Sequence, residues 1–218
     1  MLNVLEQNCV LGTYTNSTLY IGKLKESIDK FLPNIPFITY MGEGPVNLNM
    51  GYLREEFLKS GKRYAIYCDH DIVFLNPDII RNALITLVSN KCGMVTVYSS
   101  HNPEYLTKPY NNTNLVTTII PWSIGYFLGV DLKKVGHIKP NMELPNPNYA
   151  EDVDFSVQVR MAGYDIVCCN DYVYHLKKGN PQHDETSTRI TDEYFVKKYG
   201  QFYRDIYKPI NVNLPQET

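Results

Sequence analysis

The 218-residue sequence has no apolar run approaching the ~20 residues that a bilayer-spanning helix requires. Its first eight residues show no basic region followed by a long apolar core, so no secretory signal is expected. It has no basic stripe either, and the formal net charge is −2, which argues against a nucleic-acid partner. Cysteine is scarce and odd in number. The five, Cys9, Cys68, Cys92, Cys168 and Cys169, lie mostly in apolar, strand-like runs. That suits reduced, buried thiols in a cytoplasmic protein better than a disulfide framework. Cys168 and Cys169 would point to opposite faces of an extended strand, so zinc is not expected there. No repeat, low-complexity tract or linker divides the chain, and the first strand carries no glycine-rich phosphate loop.

What remains describes a globular α/β protein of one large domain or two closely packed halves. The order of elements begins β-α-β-α-β-α-β, which implies a mostly parallel sheet flanked by helices. Strands are expected over 8–15, 35–40, 64–68, 93–98, 121–130 and 164–174. Helices are expected from Asn16 or Ser17 to about Phe31, over 49–60 up to Gly61, over 78–89 with Asp78 as cap, from Glu151 to the stop at Gly163, and over 192–199. Residues 99–114 read as a long polar loop of the kind that often carries function.

The chain is organised around residues 63–77. Tyr64–Cys68 is a short apolar run suited to a strand buried on both faces, and Asp69 and Asp71 follow it directly. Positions two apart in extended chain share a side, which leaves His70 facing the other way. Neighbouring carboxylates resist joint ionisation unless a cation lies between them. A divalent-metal site at the carboxyl end of a central strand is the economical reading; a solvated Asp-x-Asp turn is the alternative.

Three further features belong with this pair. Glu151, Asp152 and Asp154 open a helix, where the macrodipole favours negative charge. Three acids in four residues exceed what capping needs, so one of them is a general-base candidate. His175 ends the last strand, either as a core histidine or as a third ligand completing an oxygen and nitrogen set suited to manganese or magnesium. Lys177 and Lys178 follow, either as solvated charge or as neutralisers of a diphosphate leaving group.

Together, Asp69-His70-Asp71, Glu151-Asp152-x-Asp154, the strand entry over 162–167 and the strand ending Tyr172-Val173-Tyr174-His175 resemble the GT-A glycosyltransferases, most closely the family 2 type, across roughly residues 8–180. The resemblance implies a Rossmann-like GT-A domain, with residues 1–98 as the nucleotide-sugar half, 99–205 as the acceptor and catalytic half, and 206–218 as a tail. It implies Mn2+ or Mg2+ on Asp69, Asp71 and His175, binding a nucleotide-diphosphate sugar, with a UDP-sugar the expected donor. Asp152 becomes the base and Glu151 its neighbour on the sugar. Thr13, Tyr14, Arg54, His70 and Lys178 would contact the donor, while Trp122, Gly125, Gly129 and Asp154 would face sugar and acceptor. The acceptor would be a glycan or glycoconjugate, and the chain could belong to a longer multidomain enzyme. The family's acidic residue after the second strand has no equivalent in 39–43. A base opposite the leaving group implies inversion. Two other classes stay open: a metal-dependent nucleotidyltransferase or hydrolase, and a non-catalytic carbohydrate-binding domain.

Overall fold

The computed structural model describes residues 2–15, 18–89, 91–107, 115–123, 125–146, 148–177 and 185–206. In chain order the elements are α1 (Leu2–Gln7), β1 (Cys9–Thr15), α2 (Ile21–Phe31), β2 (Phe37–Met41), α3 (Val46–Lys59), β3 (Tyr64–Cys68), β4 (Ile72–Val73), α4 (Asp78–Val88) and β5 (Cys92–Ser100). There follow α5 (Glu104–Thr107), β6 (Thr117–Ile120), β7 (Phe127–Asp131), α6 (Leu132–Val135), α7 (Glu151–Met161), β8 (Asp165–His175), α8 (Glu185–Tyr199) and α9 (Gln201–Ile206).

One sheet holds all eight strands in the order β2-β1-β3-β7-β5-β8-β4, with β6 also on β8. β1 is parallel to β2 and β3, and β5 is parallel to β8. β7 enters antiparallel between β3 and β5, so those two strands run the same way without touching. On the far edge of β8, β6 pairs antiparallel with Ile166–Cys169 and β4 with Tyr174 and His175. The expected α/β sheet is therefore present, with β7 inserted in its middle.

Every residue of β3 is buried because helices cover both faces of the sheet. Alternation divides the strand. Tyr64, Ile66 and Cys68 join Leu24, Ile28, Ile79 and Leu84 on one side, whereas Ala65 and Tyr67 join Met50, Leu53, Phe57, Phe155 and Val159 on the other. A residue's facing thus follows from its parity along the strand.

Several boundaries differ from those expected. Asp78 does not cap α4. Pro77 occupies the cap position, and Asn76 Oδ1 accepts from the amides of Asp78 at 2.9 Å and Ile79 at 3.3 Å, as a side chain reaching its own backbone two residues on does. α2 starts at Ile21, which leaves Leu19 72% exposed rather than on the apolar face; Asn16 and Ser17 lie outside the described residues. α3 begins at Val46, directly after the extended Pro45. The strand expected over 121–130 begins only at Phe127 and runs to Asp131 as β7, while residues 121–123, 125 and 126 lie outside any strand. β6 has mostly exposed side chains, so no apolar run announces it.

Candidate active site

β1, β3, β5 and β8 all point the same way, so their carboxyl ends meet along one edge of the sheet. β7 runs against them, and its beginning therefore lies at that same edge. A cleft of about 620 Å³ opens there, within the range of small-molecule sites. Tyr14 and Thr15 from β1, Asp69, His70 and Asp71 after β3, Ser99 and His101 from the end of β5, and His175 from β8 line one part. Trp122 and Gly125 ahead of β7 and Glu151 and Asp152 at the start of α7 line the other.

Ligand atoms of Asp69, Asp71 and His175 all lie within 4.8 Å of one another. The β4–β8 register produces this closeness by setting Ile72 opposite His175. The Leu176 amide donates to Asp71 O at 2.8 Å, and His175 Nε2 lies 3.1 Å from Asp71 Oδ1. The carboxylates reach each other through a turn, since β3 ends at Cys68 and residues 70–71 bend into β4. Strand alternation consequently does not govern His70, which lines the cleft and tilts against Tyr20 with ring centroids 6.3 Å apart. The His175 ring stacks on His101, centroids 5.3 Å and planes 20° apart, and its carbonyl lies 2.9 Å from His101 Nδ1.

Charge is finely balanced here. Burial, together with Asp71, pushes the Asp69 carboxyl up to about 7. Burial acts the same way on Asp71, but its hydrogen bond from His175 and the charge of nearby imidazoles outweigh it and hold that carboxyl below its ordinary range. Burial lowers His175, yet Asp71 and Asp69 bring its net shift upward; for His70 burial prevails and the imidazole is lowered. Two carboxyls and an imidazole, one carboxyl destabilised by its neighbour, form a donor set that a divalent cation fits.

α7 enters through Ala150, whose φ of 62° and ψ of 22° are left-handed, a conformation costly for a residue with a Cβ and often held at functional sites. It aims the first turn of α7 into the cleft. Asp152 Oδ2 accepts from the Gly125 amide at 2.7 Å and Oδ1 from the Val153 amide at 2.8 Å. A Cβ on Gly125 would come within 3.5 Å of Asp152. Burial, then Asp152, pushes the neighbouring Glu151 carboxyl up to about 8, partly countered by a hydrogen bond from Tyr14. Burial and the acids Glu151, Asp69 and Asp152 push the Tyr14 hydroxyl upward in turn.

Four residues expected at the site stand elsewhere. Arg54 is buried in α3, where its Nε donates to Ile138 O at 2.8 Å and its other nitrogens engage Gly136 O and Glu55; carbonyls after the short α6 take the charge expected for a donor phosphate. Asp154, 1% exposed, faces α8. It accepts from Tyr199 Oη at 2.6 Å, Gln158 Nε2 at 2.6 Å, Asn141 Nδ2 at 3.0 Å and Lys198 Nζ at 3.3 Å. Thr13 is fully buried, paired in register with Thr39, and leaves the cleft wall to Tyr14 and Thr15. Gly129 lies in mid-strand, where a Cβ would meet Val95 Cγ1 at 2.6 Å. Lys178 lies outside the described residues, while Lys177 is exposed and lines the cleft. His101 and the α8 residues of the cleft were not anticipated. Only the place of His101 at the end of a strand neighbouring β8 could have signalled it.

A sheet of this order, with acids gathered at its strand ends, has the GT-A fold of nucleotide-sugar glycosyltransferases. No protein-family model matches the chain, and no curated protein matches its sequence. Among solved structures it is similar to a mannosyltransferase from Pyrobaculum calidifontis in complex with GDP-Man and Mn2+, with a TM-score of 0.57 and 12% identity over 91% of this chain. It spans 64% of that chain. Glucosyl-3-phosphoglycerate synthase from Mycobacterium tuberculosis, in complex with Mg2+ and UDP, aligns over 90% of this chain and 83% of its own at 9% identity, TM-score 0.58. S. aureus TarS 1-349 aligns over 94% and 75% at 13% identity, TM-score 0.56. At such identities the likeness is one of fold. No helix among the described residues is long and apolar enough to cross a membrane.

Proposed function

We propose that this chain is a divalent-metal-dependent, inverting glycosyltransferase that moves a sugar from a nucleotide-diphosphate sugar, a UDP-sugar in the first instance, to a hydroxyl of a glycan or glycoconjugate. One observation carries the reading: the Asp69, Asp71 and His175 cluster and the Asp152 carboxylate line a single cleft, although they lie far apart in sequence. Asp69, Asp71 and His175 would hold Mn2+ or Mg2+. When bound, such an ion supplies positive charge to a departing diphosphate.

The chain's own residues would do the rest. The Gly125 and Val153 amides hold both Asp152 oxygens, which stabilises the carboxylate, and the amino terminus of α7 adds its dipole. That carboxylate accepts the proton of the attacking acceptor hydroxyl. Glu151, pushed up to about 8, carries its proton at neutral pH and can donate to a sugar oxygen, so adjacent acids take different roles. Tyr14, His70, Trp122 and Gly125 border donor and sugar, and Lys177 faces the leaving group. We infer a cytoplasmic enzyme, a reading supported by five free, buried thiols.

Incubation with manganese and a panel of UDP- and GDP-sugars tests this. Release of nucleoside diphosphate and an anomerically inverted product, read by NMR, supports the proposal. Release of nucleoside monophosphate would move the chain to the nucleotidyltransferase or hydrolase class, and a retained anomer would remove Asp152 as base.

A further inference from the structure

Beyond Asp152 the cleft continues to α8. Thr188, Thr191, Asp192 and Phe195 lie three or four residues apart and so share one helical face, and all four line the cleft. The lower end of that face is closed by packing: Phe195 and Tyr203, 1% and 3% exposed, sit with Val157 and Ala150 in a core cluster beneath α7. The upper end is polar. Tyr149 Oη and Thr188 Oγ1 are 3.1 Å apart, and Tyr203 Oη donates to Asp192 Oδ1 at 2.8 Å.

Thr191 stands apart from these. It is 3% exposed, and its Oγ1 has no hydrogen-bond partner among the described residues. A buried hydroxyl without a partner costs free energy, so a group that lines a ligand cleft in this state points to a ligand atom that satisfies it. Aromatic edges, hydroxyls and one carboxylate make a wall of the kind that suits a saccharide, whose C–H faces pack on rings while its hydroxyls bond. Charge narrows the class. The carboxylates Asp152 and Asp192 line the cleft beside the protonated Glu151, and Lys177 is the one lysine or arginine among the described lining residues. An anionic acceptor would meet these carboxylates with Lys177, assigned to the leaving group, as the one described lysine or arginine of the cleft.

We propose that the α8 face, through Thr191 and Asp192 with Tyr149 and Thr188, is the acceptor subsite and takes an uncharged saccharide, its reacting hydroxyl directed toward Asp152. Asp192 accepts from a second sugar hydroxyl, and Thr191 bonds a third. This deepens the glycosyltransferase reading and rests on it.

The test uses the full chain with manganese and whichever sugar nucleotide of the panel it turns over, measuring nucleoside diphosphate release. Acceptors are p-nitrophenyl glucosides, galactosides and mannosides of both anomers, with glucose 1-phosphate and 3-phosphoglycerate as anionic counterparts. At least one neutral glycoside is expected to raise release about tenfold over water alone. Thr191→Val and Asp192→Asn are expected to raise its KM about tenfold with the donor KM unchanged. Thr191→Val should not lower the melting temperature, which keeps the test open even where Asp192→Asn folds poorly through loss of the Tyr203 contact. Acceleration by the phosphorylated compounds alone, or a glycoside KM within twofold of the parent in Thr191→Val, overturns the subsite. Absence of metal-dependent donor binding and release with every sugar nucleotide overturns the reading beneath it, and the subsite with it.

Discussion

The backbone amide of Gly125 and the carboxylate of Asp152, 27 residues apart in the chain, are joined by a 2.7 Å hydrogen bond. The bond ties the approach to β7 to the first turn of α7 and fixes one oxygen of the acid assigned as base. Replacing Asp152 by asparagine preserves volume and removes the basic oxygen. Turnover is expected to fall ~10²–10⁴-fold, the size of general-base catalysis, with donor affinity kept. Calorimetric donor titration beside steady-state rates checks it, and near-parental turnover would release Asp152 from the mechanism.

Manganese affinity should depend on a histidine more than 100 positions from the aspartates. His175→Ala is expected to weaken Mn2+ binding at least ~10-fold, since even an outer partner of a metal ligand carries that much. Free Mn2+ followed by electron paramagnetic resonance measures the change directly. Chelation of the parent protein should abolish donor binding, and added manganese should restore it.

Glu151 gives the metal-free protein a defined pH response. Its carboxyl moves from an ordinary value of 4.5 when unfolded to about 8 when folded, so the folded state holds the proton more tightly. The resulting stability is complete below about 4.5, declines as pH rises, and is gone above about 8. Glu151→Gln should flatten that decline and raise the unfolding midpoint at pH 8 by at least about 2 °C, the shift that ~1 kcal/mol gives a chain of this size. Identical pH profiles in the two proteins would show that the carboxyl ionises normally.

Asp154 is expected to matter for stability. Removing it strands Tyr199, Gln158 and Asn141 donors at the α7–α8 contact. Asp154→Ala should cost about 2–3 kcal/mol in urea unfolding, the scale of leaving buried partners unsatisfied. A loss under ~0.5 kcal/mol would mean that the network contributes little.

Much of this was legible in advance where a residue's role follows from its place on an element. The β-α order of the first half and the burial of Tyr64–Cys68 needed only periodicity. The cluster of Asp69, Asp71 and His175 followed from the family resemblance together with the rule that ligands bind at carboxyl strand ends. The short β4 and the exposed β6 left no such signal. Asp154 and Arg54 were misplaced because spacing cannot distinguish a charge facing a cleft from one facing a neighbouring helix. That depends on how α7 and α3 are rolled, which long-range packing decides. His101 was hidden for another reason: it meets the site through a partner element, β8, that local sequence does not name. Alternation turned His70 away from the aspartates, whereas the resemblance set it beside the donor; it lines the cleft because the chain bends after Cys68, and alternation holds only while the chain stays extended.

The insertion of β7 bears on how the polypeptide is made. A nascent chain that has emerged only as far as Tyr98 possesses β3 with one flank bare and β5 with no strand on either side. Both wait for Phe127–Asp131 to leave the ribosome, and β5 waits longer still for β8. Until then those exposed edges are open to other strands, so severing the gene between the two halves should yield an aggregating product rather than a foldable piece.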